Sequence, residues 1–140
     1  MERTPDLTRQ PATGTAGIDV EHQLQFTLVE TLLQAVASGK PRDDVDALLD
    51  SLVDTSNIHF QGEELLMRMH SYDGLAQHVE EHRLLLEELA GMRAAFESGQ
   101  DAALTSGATR VLAWLASHLR THDLALSAFM AQGGLVGSGA

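Results

Sequence analysis

Residues 75 to 96 repeat bulky apolar or imidazole side chains at steps of three and four: Leu75, His78, His82, Leu85, Leu89, Met92 and Phe96. Those steps average one helical turn, so the stretch predicts a helix with one buried face. Two histidines sit on that face among the leucines. Burying imidazole costs free energy unless each ring nitrogen finds a partner, so a fold for this chain must bury the stripe and satisfy the rings together.

Breakers divide the remainder into an arm, three further helical segments and a tail. Residues 1 to 17 carry Pro5, Pro11, Thr13, Gly14, Thr15 and Gly17 without any period, which predicts an irregular arm. A first helix is expected from Ile18 or Asp19 to Ser38-Gly39, ahead of Pro41, with the seam Phe26, Val29, Leu33 and Val36. One turn back along that seam lies His22. A second helix is expected from Arg42 to about His70, with Asp43 and Asp44 at the positive end of its dipole. Its seam reads Val45, Leu48, Leu49, Leu52, Ser56, His59, Glu63 and Leu66, and Ser71-Tyr72-Asp73-Gly74 follows. The third helix runs from Leu75 to about Ser98. The fourth starts at Gln100 or Asp101 and ends near Met130, with Leu104, Val111, Leu115, His118 and Phe129 near one face.

Hydrophobic residues make up 44% of the chain but aromatics only 4%, and β-branched runs are missing, which favours helices over sheet. Short connections force neighbouring helices to run antiparallel. The expected fold is all-α: an up-down-up-down four-helix bundle over residues 18–131, between the arm at 1–17 and a glycine-rich, flexible tail at 132–140. At 140 residues the chain has the length of one domain.

With no cysteine, disulfides, zinc-thiolate sites, iron-sulfur clusters and thiol catalysis are excluded, and any metal is held by nitrogen and oxygen. Twenty acidic residues against nine basic give a net charge of -11, which repels a phosphate backbone and argues against nucleic acid as partner. The polar start Met1-Glu2-Arg3-Thr4-Pro5 leads into no apolar run of the secretory kind, and no stretch approaches the roughly 18 apolar residues of a membrane span. A soluble, cytoplasmic protein without a membrane partner is expected.

Each of the four helices carries a histidine on its inward stripe, and antiparallel packing brings these levels to one end of the bundle. His22 lies near the start of the first helix, His59 and Glu63 towards the end of the second, His78 and His82 near the start of the third, and His118 and Asp123 in the later half of the fourth. Five imidazoles and two carboxylates can therefore converge. His59-x3-Glu63 and His78-x3-His82 each place two side chains one turn apart on one face, which suits a shared ion or ion pair. His118-x4-Asp123 is less direct, because five residues turn about 140° on an ideal helix. Either the two side chains flank the inward direction, or the helix widens locally into a π-type turn. His122, four residues after His118, competes with Asp123, and spacing leaves both open. Nitrogen and oxygen ligands suit iron, manganese or zinc alike.

The segments Gly17-Ile18-Asp19-x-Glu21-His22, His59-Phe60-x-x-Glu63-Glu64, His78-x3-His82 and Trp114-Leu115-x-x-His118-x4-Asp123 together resemble the hemerythrins, in particular their bacterial single-domain branch. The resemblance spans roughly residues 17 to 130 and fills seven ligand slots in order. It implies a non-haem di-iron centre that binds O2 reversibly, with Glu63, Asp123 and an oxo or hydroxo group as bridges. By the same resemblance His78, His82 and His118 saturate one iron, while His22 and His59 hold the other. Two octahedral ions offer about twelve positions, of which this set leaves one open for O2. The ferrous centre would carry only one net positive charge, tolerable in a buried site. Neutral imidazoles make high-valent iron less accessible than carboxylate-rich sites do, which favours carriage over oxidation of a substrate. Phe60, Trp114, Leu115 and Leu119 are the expected dry wall of the O2 pocket.

Two positions depart from the family. Gln25 replaces an apolar pocket residue, commonly Leu, and is expected either to hydrogen-bond the oxygen ligand or to admit water. Leu126 stands where Tyr is frequent. The aromatic residue that often precedes the first motif is also missing.

A lone histidine on an apolar face is more often a satisfied core residue than a ligand, but five in matching slots reverse that balance. His70 reads as a helix C-terminal cap. Glu80-Glu81 and Glu87-Glu88 read as a solvated face with no need of partners. The leading expectation is an O2-binding protein for carriage, storage or delivery, with no catalytic residue and with an unidentified protein as possible recipient. Alternatives are an O2 or redox sensor acting on a fused signalling domain or partner, a di-iron enzyme handling peroxide or nitric oxide, and a zinc-filled structural bundle.

Overall fold

The structure, a computed structural model, describes residues 16–131, with side chains from residue 21 onward. Four helical rods follow one another: α1 (Ala16–Ala37), α2 (Arg42–Met69), α3 (Leu75–Glu97) and α4 (Asp101–His118), the last continued by a π turn (Leu119–Asp123) and a short α5 (Leu124–Phe129). Helix α1 packs on α2, α2 on α3, α3 on α4, and α4 back on α1, which closes the bundle. No strand occurs among the described residues. Helix α1 starts at Ala16, so the last two residues of the expected arm are helical. The rest of the arm and the glycine-rich tail lie outside the described residues.

The ends of the helices follow from backbone chemistry. Gly39 and Gly99 take left-handed φ values of 70° and 72°, and the next amide closes back on the helix, Lys40 N–H to the Ala35 carbonyl and Gln100 N–H to that of Ala95. The turn after α2 repeats this closure from Tyr72 N–H to the Met67 carbonyl, but the left-handed residue is Ser71, with φ 52°. His70 is the C-cap residue of α2, as expected, with its amide bonded to the Leu66 carbonyl.

Two apolar clusters fill the interior. The larger holds Phe26, Val29, Leu49, Leu52, Leu85, Leu89, Met92 and Val111 among others; the smaller holds Met67, Leu126 and Met130, with Leu75 and Phe129 against it. Along each of α2, α3 and the fourth rod, the polar residues singled out by the sequence fall between the two. At Gly107 an added Cβ would come within 2.7 Å of Met92 Cγ, so the missing side chain lets α4 sit close against α3.

The seams deviate from expectation where two apolar neighbours compete. In α1 the buried positions are Leu32 and Ala35, with Leu33 and Val36 half-buried. In α2 Met67 is buried and Leu66 half-buried, and Leu48 is likewise only half-buried. In the fourth rod Met130 is buried and Phe129 half-buried. This last shift has a definite cause: the π turn inserts one residue after His118, so every later inward position moves along by one. The glutamate runs expected as a solvated face are exposed or half-exposed, and they have neighbours of opposite charge: Glu80 and Glu87 pair with Arg83, Glu88 with Arg110, and Glu81 faces His122.

Leu49→Ala, at a fully buried site, is expected to cost about 2–5 kcal/mol of unfolding free energy. Leu65→Ala, on the exposed face of the same helix, should stay within about 0.5 kcal/mol. Urea denaturation of the metal-free protein checks both, and equal midpoints would contradict the burial pattern.

Candidate metal centre

His22, His59, Glu63, His78, His82, His118 and Asp123 are all buried and meet in one layer of the bundle. Their positions follow from helical spacing on α2 and α3, where His59/Glu63 and His78/His82 stand one turn apart. On the fourth rod the wide turn decides. The Leu124 amide reaches back five residues to the Leu119 carbonyl, which brings Asp123 onto the inward face with His118. His122 is turned towards the rim and stays half-exposed. Of the two readings left open by the sequence, the widened helix is the observed one.

The oxygens of the two carboxylates sort the histidines into a group of three and a group of two. Glu63 Oε1 lies 3.1 Å from Nε2 of both His78 and His82, and Asp123 Oδ1 lies 2.9 Å and 3.1 Å from Nε2 of His78 and His118. The opposite oxygens face the other pair. Asp123 Oδ2 is 2.7 Å from His22 Nε2, and Glu63 Oε2 is 3.6 Å from His59 Nε2 and 3.9 Å from His22 Nε2. Every histidine therefore turns Nε2 inward.

Nε2 of His22, His59 and His118, Oε2 of Glu63 and Oδ1 of Asp123 are buried and make no hydrogen bond among the described residues. An unsatisfied buried polar atom costs about 1–3 kcal/mol, so five aimed at one place are costly in an empty protein site. Their donor chemistry, imidazole nitrogen and carboxylate oxygen, is that of a first-row divalent cation. The seven residues fit the binding of such cations, with Glu63 and Asp123 common to the three-histidine and the two-histidine groups.

Electrostatics tell the same story. Burial, with help from the His22 charge, lowers the His59 pKa to about 4, and burial with the neighbouring His118 and His78 lowers that of His82 to about 2. Burial also lowers His118. These rings are neutral at pH 7 and can donate to a metal. Burial raises Glu63 to about 8. For His78 burial acts downward, but the adjoining Asp123 and Glu63 carboxylates prevail and raise it to about 9. For Asp123 burial acts upward and is overcome by His118, His22 and His78, which hold its carboxyl well below the usual range.

Outer partners fix the rings. His59 Nδ1 is 2.7 Å from Glu21 Oε1, and His82 Nδ1 is 3.0 Å from Glu64 Oε2. Such carboxylates lock ring orientation and raise ligand basicity. The sequence reading gave Glu21 and Glu64 no role, although both adjoin a ligand in the quoted motifs. Phe60 stacks on His82 at 3.9 Å and Trp114 on His118 at 4.4 Å. Of the four expected wall residues, Phe60, Leu115 and Leu119 are buried and Trp114 half-buried, and the two aromatic ones stack on rings of the three-histidine group. Gln25, fully buried one turn after His22, donates from Nε2 to Ser56 Oγ at 2.9 Å, and Ser56 stands one turn before His59. The carbonyl oxygen of Gln25 has no hydrogen-bond partner among the described residues.

Residues 13–128 match the family model described as the hemerythrin HHE cation binding domain. The bacteriohemerythrin of Stenotrophomonas maltophilia (strain R551-3) is 32% identical over 111 residues, covering 78% of this chain and 72% of that protein. The myohemerythrin of Sipunculus nudus is 31% identical over 77 residues, 55% of this chain and 58% of that protein. A crystal structure of wild-type hemerythrin superposes with a TM-score of 0.75 at 26% identity, covering 89% of this chain and 95% of the other. The chain belongs to the hemerythrin family.

Proposed function

We infer that the chain binds O2 reversibly at a di-iron centre, and that it carries, stores or delivers oxygen and is not an enzyme. The observation that supports this reading most is the sorting of carboxylate oxygens, which gives each of two ions one oxygen from Glu63 and one from Asp123. In this reading Glu63 and Asp123 would be shared by the two ions, His78, His82 and His118 would hold one, and His22 and His59 would hold the other. The two-histidine side has fewer protein donors, and a small ligand has its place there.

When bound, the iron pair supplies the electrons that capture O2 and takes them back on release. The protein's part is restraint. Glu21 and Glu64 hold two rings in register, Phe60 and Trp114 clamp two more faces, and the apolar clusters above and below exclude water. Five imidazoles against two carboxylates donate little negative charge to the metals, which works against the higher oxidation states that substrate oxidation needs. The buried Gln25 amide, hydrogen-bonded to Ser56 beside the two-histidine side, is a polar group that the family pattern does not supply.

Three outcomes follow. Anaerobically reduced, iron-loaded protein should develop a charge-transfer band on admission of O2 and lose it when O2 is removed; irreversible conversion to a diferric form would speak for an enzyme or sensor. Gln25→Leu should change the autoxidation rate of the oxygenated protein, and identical rates would remove Gln25 from the pocket. Glu63 and His78, raised to about 8 and about 9, hold protons at pH 7 that a bound cation must displace. Loading should then release protons, and affinity should fall as pH is lowered from 9 towards 4, where His59 also takes up its proton. Titration in buffers of different ionisation enthalpy reads the proton count, and zero release contradicts the assignment.

A further inference from the structure

Besides the buried layer, a third group of potential ligand atoms stands at the surface: Glu81 on α3, His122 in the π turn and His118, with one donor atom from each within 4.8 Å of the others. Glu81 and His122 are half-exposed, and His118 is buried. The His122 ring lies 5.2 Å from that of His118, nearly parallel at 25°, and 5.6 Å from that of His78. His122 Nε2 and Glu81 Oε1 are 4.0 Å apart. That gap is too long for a hydrogen bond, but metal bonds of about 2.1 Å on either side of one ion span it.

We propose that Glu81, His122 and His118 form a loading port through which divalent iron reaches the buried layer. The proposal rests on the di-iron reading above. Three mixed nitrogen and oxygen donors, two of them wet, suit a first-row divalent ion held briefly with water in its remaining positions. The chain's net charge of -11 draws cations to its surface, and Glu81 lies beside the only one of the three ligands that also belongs to the inner set. An ion at the port moves inward by exchanging Glu81 and His122 for Glu63, His78, His82 and Asp123, while His118 is common to both groups. The π turn serves this arrangement too, since it turns His122 to the rim while Asp123 takes the inward position.

The test is anaerobic uptake of ferrous ion by the metal-free protein, followed by stopped flow, with wild type, His122→Ala, Glu81→Gln and the double variant. Uptake by each variant should be slower by about tenfold, with the same final iron content per chain, the same diferric spectrum after oxidation and unchanged thermal stability of the metal-free form. Slowing by His122→Ala separates ligation from charge attraction, because that change removes no negative charge. Wild-type rates in the variants would overturn the port and leave the di-iron reading standing. A lowered final iron content would overturn it differently, making His122 a ligand of the centre itself. Failure of the wild-type protein to take up iron would overturn both.

Discussion

Five imidazoles and two carboxylates inside a bundle of leucines constitute the constraint on which the rest of the molecule turns. Unsatisfied, such groups would oppose folding by several kcal/mol, because buried polar atoms without partners forfeit their hydration. The fold concentrates them in a single layer, where bound cations would answer them together. Everything apolar is arranged to either side: a large cluster towards the Gly39 and Gly99 turns, and a small one towards the Ser71 turn. The layer is thereby screened along the bundle axis without being sealed sideways, where Trp114, His122, Glu21 and Glu64 remain half-exposed.

Much of this was legible in the residues because helices write their geometry at short range. His78 and His82 announce a shared face through their spacing, and the rods around them end at glycines whose positive φ only a residue without Cβ adopts readily. Adjacent residues of equal hydropathy are different. Leu32 against Leu33, or Leu66 against Met67, is decided by which neighbouring helix lies opposite, and no local pattern carries that information. Glu21 and Glu64 were illegible for another reason: half-exposed carboxylates next to ligands look like ordinary surface charge, and only the rings that reach across from α2 and α3 give them a role. His118 and Asp123 fall between these cases, since spacing allowed an ordinary and a widened helix, and the backbone supplied the choice.

The two groups of histidines also differ in their surroundings. The three-histidine side is braced by ring stacking, with Phe60 on His82 and Trp114 on His118, and by the His78 bonds to both carboxylates. Each side has a carboxylate behind one ring, Glu64 behind His82 and Glu21 behind His59, and the two-histidine side adds the hydrogen-bonded amide and hydroxyl of Gln25 and Ser56. A half braced by stacked rings and a half with a buried amide and hydroxyl beside it thus share the same two carboxylates.

The extra residue in the fourth rod carries a lesson about what selects a backbone. Remove any one position between His118 and Asp123, and an ordinary α-helix would still direct the aspartate, Leu126 and Met130 towards the centre, at offsets of four, seven and eleven from the histidine. Hydrophobic packing would be equally content with the shorter chain. The surplus residue is therefore invisible to the core; what it alters is the stretch between the two side chains that bracket it, where it leaves one more residue and turns His122 to the rim.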